Sequence, residues 1–115
     1  MKKSILILLL IIKYNLVFSQ ISSNESYSVN TIAFYNVENL FDTIDDPLTR
    51  DDDRTPQGKD KWTIDIYNKK LKNISRVINE IGSDLTNTTP TIVGLCEVEN
   101  KKVLQDLINT NLLKN

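Results

Sequence analysis

Between Thr63 and Gly82, apolar residues return every three or four positions, at Ile64, Tyr67, Leu71, Ile74, Ile78 and Ile81. That period puts all six on one stripe of an α-helix, with Lys69, Lys70, Lys72, Asn73 and Arg76 on the other face. Thr63 stands where a cap belongs, Asp65 suits the positive end of the helix dipole, and Gly82 suits a left-handed closing residue. The flanks of this helix decide what it can fold with. Val29 to Val37 is short and rich in β-branched and aromatic residues, with Ile32, Phe34 and Val37 among them, and reads as a strand. After the polar turn Asp84 to Thr89 and Pro90, Thr91 to Val98 is apolar almost throughout, which predicts a second strand covered on both faces. Asn100 is placed to cap a last helix that turns Val103, Leu104, Leu107 and Ile108 inward. Strands joined through a helix run parallel, so the expectation is an α/β layered fold. Two strands alone make a poor sheet, and the helix faces need more apolar cover than these residues supply.

Residues 42–61 carry Pro47, Pro56, Gly58 and dense charge, which predicts a loop longer than a compact domain keeps without a use. The run Asp51-Asp52-Asp53, with Asp45 and Asp46, lacks the alternating acidic loop and terminal Glu of a calcium site and reads as a solvated acidic face. Trp62 and Tyr67 read as anchors of this loop to the helix, the alternative being stacking on a base or sugar. The 115 residues carry a net charge of −1, and setting aside Lys2, Lys3 and Lys13 leaves 11 cations against 15 acids, or −4. A mildly acidic chain has no electrostatic footprint for nucleic acid, although a bound metal can offset charge locally. Cys96 is the single cysteine, so no intrachain disulfide exists, and its apolar flanks predict a buried, inert thiol. The absence of any His removes the usual partner of a nucleophilic Cys.

The N-terminus is organised as an export signal. Lys2 and Lys3 precede the apolar run Ile5 to Ile12, Leu16-Val17-Phe18 resumes it after Lys13, and Val17 and Ser19 form a small-residue cleavage pattern before Gln20. The run is too short and interrupted to span a bilayer, leaving an uncleaved anchor or a buried helix as alternatives. No Cys stands at the cleavage position, so a lipoprotein is not indicated. The chain therefore divides into a signal peptide at 1–19, a flexible leader at 20–28 and a domain at 29–115. Export to a bacterial periplasm or the exterior follows, with no membrane span after cleavage.

Chemistry is expected at the strand ends. The first strand runs out through Tyr35-Asn36-Val37-Glu38-Asn39, the second through Leu95-Cys96-Glu97-Val98-Glu99-Asn100. Open α/β sheets gather ligands at the carboxyl ends of their strands, so Asn36 and Glu97 are candidates for one site. A carboxylate suits Mg²⁺, and an amide can donate to a phosphate oxygen while accepting from a neighbour. By spacing alone, a Glu after a buried strand is usually just the first solvated residue, and an Asn there usually a turn former.

Tyr35-Asn36-Val37 and Ile92-Val93-Gly94-Leu95-Cys96-Glu97 resemble the first two motifs of the endonuclease/exonuclease/phosphatase superfamily, the deoxyribonuclease I-like group. The stretch between them is similar to a secreted bacterial branch at Asn39-Leu40-Phe41-Asp42, Asp45-Asp46-Pro47, Thr55-Pro56-x-Gly58, Lys61-Trp62-Thr63 and Tyr67-x-x-Lys70-Leu71. The resemblance runs from about Thr31 to Asn100. It implies the N-terminal part of a four-layer αββα sandwich and a phosphoesterase dependent on Mg²⁺ or Mn²⁺. It implies Glu97 as the metal-ligand carboxylate and Asn36 as the catalytic Asn near the scissile phosphate. Glu38, Asn39, Glu99 and Asn100 flank the two as supporting groups, Asn100 also as a helix cap. The implied substrate is a phosphate ester of DNA, a nucleotide, a phospholipid or an inositol phosphate.

Cys96 stands where the family commonly has Gln. The family's catalytic His, Asp residues and second Asn belong to later motifs resembling G-D-F-N and S-D-H, which these residues do not contain. The expectation is a truncated chain, inactive alone. The alternatives are a nonfunctional remnant and an exported acidic binding module that uses the loop from Asp42 to Lys61.

Overall fold

The computed structural model describes residues 26–114, so the signal peptide expected at 1–19 and most of the leader at 20–28 lie outside the described residues. The elements are β1 (Ile32–Leu40), α1 (Ile64–Glu80), α2 (Ser83–Thr86), β2 (Ile92–Val98) and α3 (Lys101–Ile108), with a 3-10 turn at Asp52–Arg54 inside the long loop. The fold is α/β. β1 and β2 pair in parallel, as the helix between them requires. No helix among the described residues is long and apolar enough to cross a membrane.

β1 starts three residues later than expected and ends three later. Its burial follows a period of two through Ala33, Tyr35 and Val37, then jumps three positions to Leu40, which is fully buried. Register explains the jump. Ile32 opposes Ile92 and Asn36 opposes Cys96, yet the next pair is Leu40 with Val98, so β1 spends four residues where β2 spends two. Glu38 and Asn39 fill the excess with left-handed backbone, at φ 54° and 59°. The polar Glu-Asn pair that reads as a strand end is a bulge, and the strand resumes because Leu40 has a core to enter.

The core lies on one face of the sheet. Val37 and Leu40 pack with Trp62, with Tyr67, Leu71, Ile74 and Ile78 of α1, and with Val103 and Leu107 of α3. Each such aliphatic side chain contributes about 1.5–3 kcal/mol on burial. Tyr35, Val93 and Leu95 add their inner sides. The other face has no layer over it among the described residues: Ile32, Phe34 and Ile92 are exposed, Phe34 at 86%. β2 is thus covered on one face and not both, because its continuous apolar run meets helices on one side only. Cys96 points out with this open face and is exposed, not buried.

Helix α1 follows its stripe except at the ends. Ile64 stays exposed in the first turn, and the Thr63 backbone occupies the cap position while its hydroxyl makes no capping bond. Gly82 is left-handed, φ 71°, and a Cβ there would run into the Thr31 side chain. The segment after it is not all turn, since α2 takes up its first residues. Asn100 caps α3 as expected, its Oδ1 accepting from the Val103 N–H at 2.9 Å. The Trp62 indole donates to the Phe41 carbonyl at 3.0 Å, tying the loop to the end of β1.

Candidate active site

Asn36 and Glu97 meet although simple alternation would part them. Asn36 opposes Cys96, so regular pleating would send Glu97 to the opposite face. Glu97 instead adopts φ 63°, which ends the alternation and turns its carboxylate toward Asn36. The Asn36 Nδ2 donates to Glu97 Oε1 at 2.6 Å. The backbone N–H of Asn39, delivered by the bulge, donates to Glu97 Oε2 at 3.1 Å. The Glu38 N–H donates to Asn36 Oδ1 at 2.7 Å, which fixes the amide orientation. Three left-handed non-glycine residues therefore surround one carboxylate, and two of them are Glu, which rarely adopts this conformation. Such backbone costs of order 1–2 kcal/mol per residue and gathers at sites that use it.

Glu38 and Asn39 thus act through their main chain, not their side chains. Glu99 and Asn100 stand apart from the Asn36–Glu97 contact. Glu99 Oε2 accepts from the Asp42 N–H at 2.8 Å and pins the start of the long loop, while Asn100 serves α3. Asp42, Ile44, Asp45, Asp46, Pro47, Glu99 and Asn100 line a shallow cleft beside this pin. Burial pushes the Glu99 carboxyl up, and the neighbouring Asp42 and Asp51 charges add to it against the pull of the Asp42 N–H. Asp52 and Asp53 are exposed as expected, but Asp51 is only 2% exposed. Its Oδ2 accepts from the Asp46 N–H at 3.1 Å, and its Oδ1 finds no hydrogen-bond partner among the described residues. The solvated reading of the acidic run fails at Asp51 because the loop folds back over it.

The helical period puts Lys70 on the outer face of α1, yet the structure brings it to the site. Its Nζ donates to the Glu38 carbonyl at 2.6 Å and the Asn39 carbonyl at 3.3 Å, and it lies 5.6 Å from the Trp62 ring centre. Desolvation lowers its pKa, Arg54 adds to that, and the Glu38 and Glu97 charges oppose it. The signal in the sequence was its position beside Leu71, at the edge of the buried stripe.

Glu97 fits one role at a divalent cation. Each carboxylate oxygen receives a single N–H, which leaves lone pairs for an ion or its waters. Among the described residues no group of three or more His, Cys, Asp or Glu could hold a metal ion.

The model of the endonuclease/exonuclease/phosphatase family matches residues 31–115, a span that includes both strand ends and the helix between them. The chain belongs to this family. Endonuclease/exonuclease/phosphatase proteins are hydrolases of the phosphoesterase and nuclease type and commonly use divalent metals. The two-stranded sheet with its helices is part of the family's α/β fold. No curated protein and no solved structure matches the chain significantly.

Proposed function

We propose that this chain carries the Asn–Glu half of the active site of an exported, Mg²⁺- or Mn²⁺-dependent phosphoester hydrolase. The observation that carries the reading is the 2.6 Å contact between Asn36 and Glu97 at the carboxyl ends of two parallel strands. Glu97 would be the metal-ligand carboxylate, its two oxygens oriented by the Asn36 amide and the Asn39 N–H. Asn36 would hold that carboxylate and present its amide beside the phosphate. A bound divalent cation would supply charge neutralisation and an activated water. The general base and the other ligands belong to family motifs outside these residues. Substrates are phosphate esters. The acidic balance tilts against tight DNA binding and leaves nucleotides, phospholipids and inositol phosphates in view.

The test is hydrolysis of bis(p-nitrophenyl) phosphate and plasmid DNA with Mg²⁺. It compares the 115-residue chain, the chain continued through any downstream coding sequence, and the continued form carrying Glu97→Ala. The expected outcome is an active continued form, an inert short chain and loss of activity in Glu97→Ala. Asn36→Ala is expected to cost ~10–100-fold, as for a group that orients a metal ligand. Full activity in Glu97→Ala would remove Glu97 from the site.

A further inference from the structure

We infer that Lys70 is the positioning residue of the Glu97 carboxylate, acting through the single peptide group between Glu38 and Asn39. The inference rests on Glu97 being the carboxylate of the site and goes on to name what holds it. The Glu38 carbonyl and the Asn39 N–H are the two ends of one planar unit. Lys70 Nζ donates to the carbonyl end at 2.6 Å, and the N–H end donates to Glu97 Oε2 at 3.1 Å. A cation therefore sits at the negative end of the peptide dipole and an anion at its positive end. Both charges favour the same orientation, and each hydrogen bond polarises the other.

Without the cation this orientation would rest on the Glu97 bond alone. Asn39 is left-handed, and rotating the peptide between Glu38 and Asn39 would return Asn39 to ordinary extended φ while Glu38 keeps its own. That rotation would take the N–H away from Glu97. The second bond from Lys70, to the Asn39 carbonyl, holds the next peptide as well. Lys70 is itself placed by α1 and by the Trp62 ring, and Trp62 is fixed to the Phe41 carbonyl. The helix thus sets the metal-facing acid without touching it. The loop motif at Trp62 and the helix motif at Lys70, which have no direct chemistry of their own, both gain a role.

The test is amide NMR on the protein with three variants. Glu97→Gln weakens the acceptor and so identifies the Asn39 amide by its shift. Lys70→Met keeps the aliphatic stem and removes the donor. The expected result is that Asn39 hydrogen exchange accelerates about tenfold, the loss of one charge-assisted bond, while amides inside α1 keep their protection. Lys70→Arg should restore the Asn39 signal. Unchanged exchange and shift at Asn39 in Lys70→Met overturn the inference. A measurement on the unmutated protein covers the case in which Lys70→Met fails to fold. A Lys70 ammonium that exchanges with water as slowly as a bonded group supports the relay, and one that exchanges like Lys69 overturns it. The Asn39 readout needs no metal or substrate, so failure of the phosphoesterase reading and failure of the relay are distinguishable.

Discussion

At the residue scale, single backbone angles do work that side-chain identity does not announce. Glu97 becomes a partner of Asn36 through a φ of 63°, and Asn39 becomes a donor through a φ of 59°. Neither angle is visible in a sequence with Glu and Asn at these places, since each residue type also occurs in plain strands and turns. Gly82 is the contrary case, where the residue type foretells the angle. Gly82→Ala is expected to lower unfolding free energy by about 1–2 kcal/mol, from left-handed strain together with the collision at Thr31, measurable as a lower urea midpoint at unchanged slope. Asp51 shows what residue-level reading missed. Three consecutive Asp read as one solvated run, yet the first is buried, because burial is set by where the loop returns and not by composition.

At the element scale, α1 and α3 are joined through a small polar cluster. The Tyr67 hydroxyl donates to Asp106 Oδ2 at 2.8 Å, and Lys102 Nζ donates to the same oxygen at 2.6 Å. The Lys102 bond is the main cause that holds Asp106 below its ordinary carboxyl range, against desolvation and with help from the Tyr67 hydroxyl. Burial, with the Asp106 bond and charge behind it, pushes the Tyr67 hydroxyl up. A lowered native pKa at Asp106 means the unfolded chain takes up the proton first as pH falls. The stabilisation is therefore complete above 3.8, the ordinary value, and is lost as pH drops through the lower native value. Urea midpoints should show Asp106→Asn weaker than the parent at neutral pH, with the gap closing below 3.8. The gap should be small, because the Lys102 and Asp106 side chains are 60% and 32% exposed. α1 itself was legible to within a residue or two, since a 3.6 period over five turns has no rival reading. The C-terminal end of β1 was displaced because a Glu-Asn pair marks a strand end and a bulge with the same residues.

At the scale of the whole molecule, one face of the sheet is dry and the other wet. Leu71 is 6% exposed inside the core and Phe34 is 86% exposed across the sheet from it. Leu71→Ala is expected to cost about 2–5 kcal/mol, and Phe34→Ala under about 1 kcal/mol despite removing the larger side chain. Chemical denaturation of the two variants side by side checks this. Near-equal losses would mean that Phe34 is covered in solution. The same asymmetry placed Cys96 outside, where its apolar neighbours in sequence had suggested a buried thiol.

The amino-acid sequence by itself determined the elements and their order: a helix from its apolar period, two flanking strands from their β-branched runs, and parallel pairing from the helix between them. It also determined which two side chains the family resemblance marks, Asn36 and Glu97. Tertiary structure decided everything that depends on two distant segments meeting. The register that turns Glu38 and Asn39 into a bulge comes from pairing with β2. The reach of Lys70 to that bulge comes from packing α1 on the sheet. The burial of Asp51 comes from the loop closing over Glu99. Periodicity is a local property that one segment carries alone, whereas a peptide clamped between a lysine and a glutamate needs three segments in place at once.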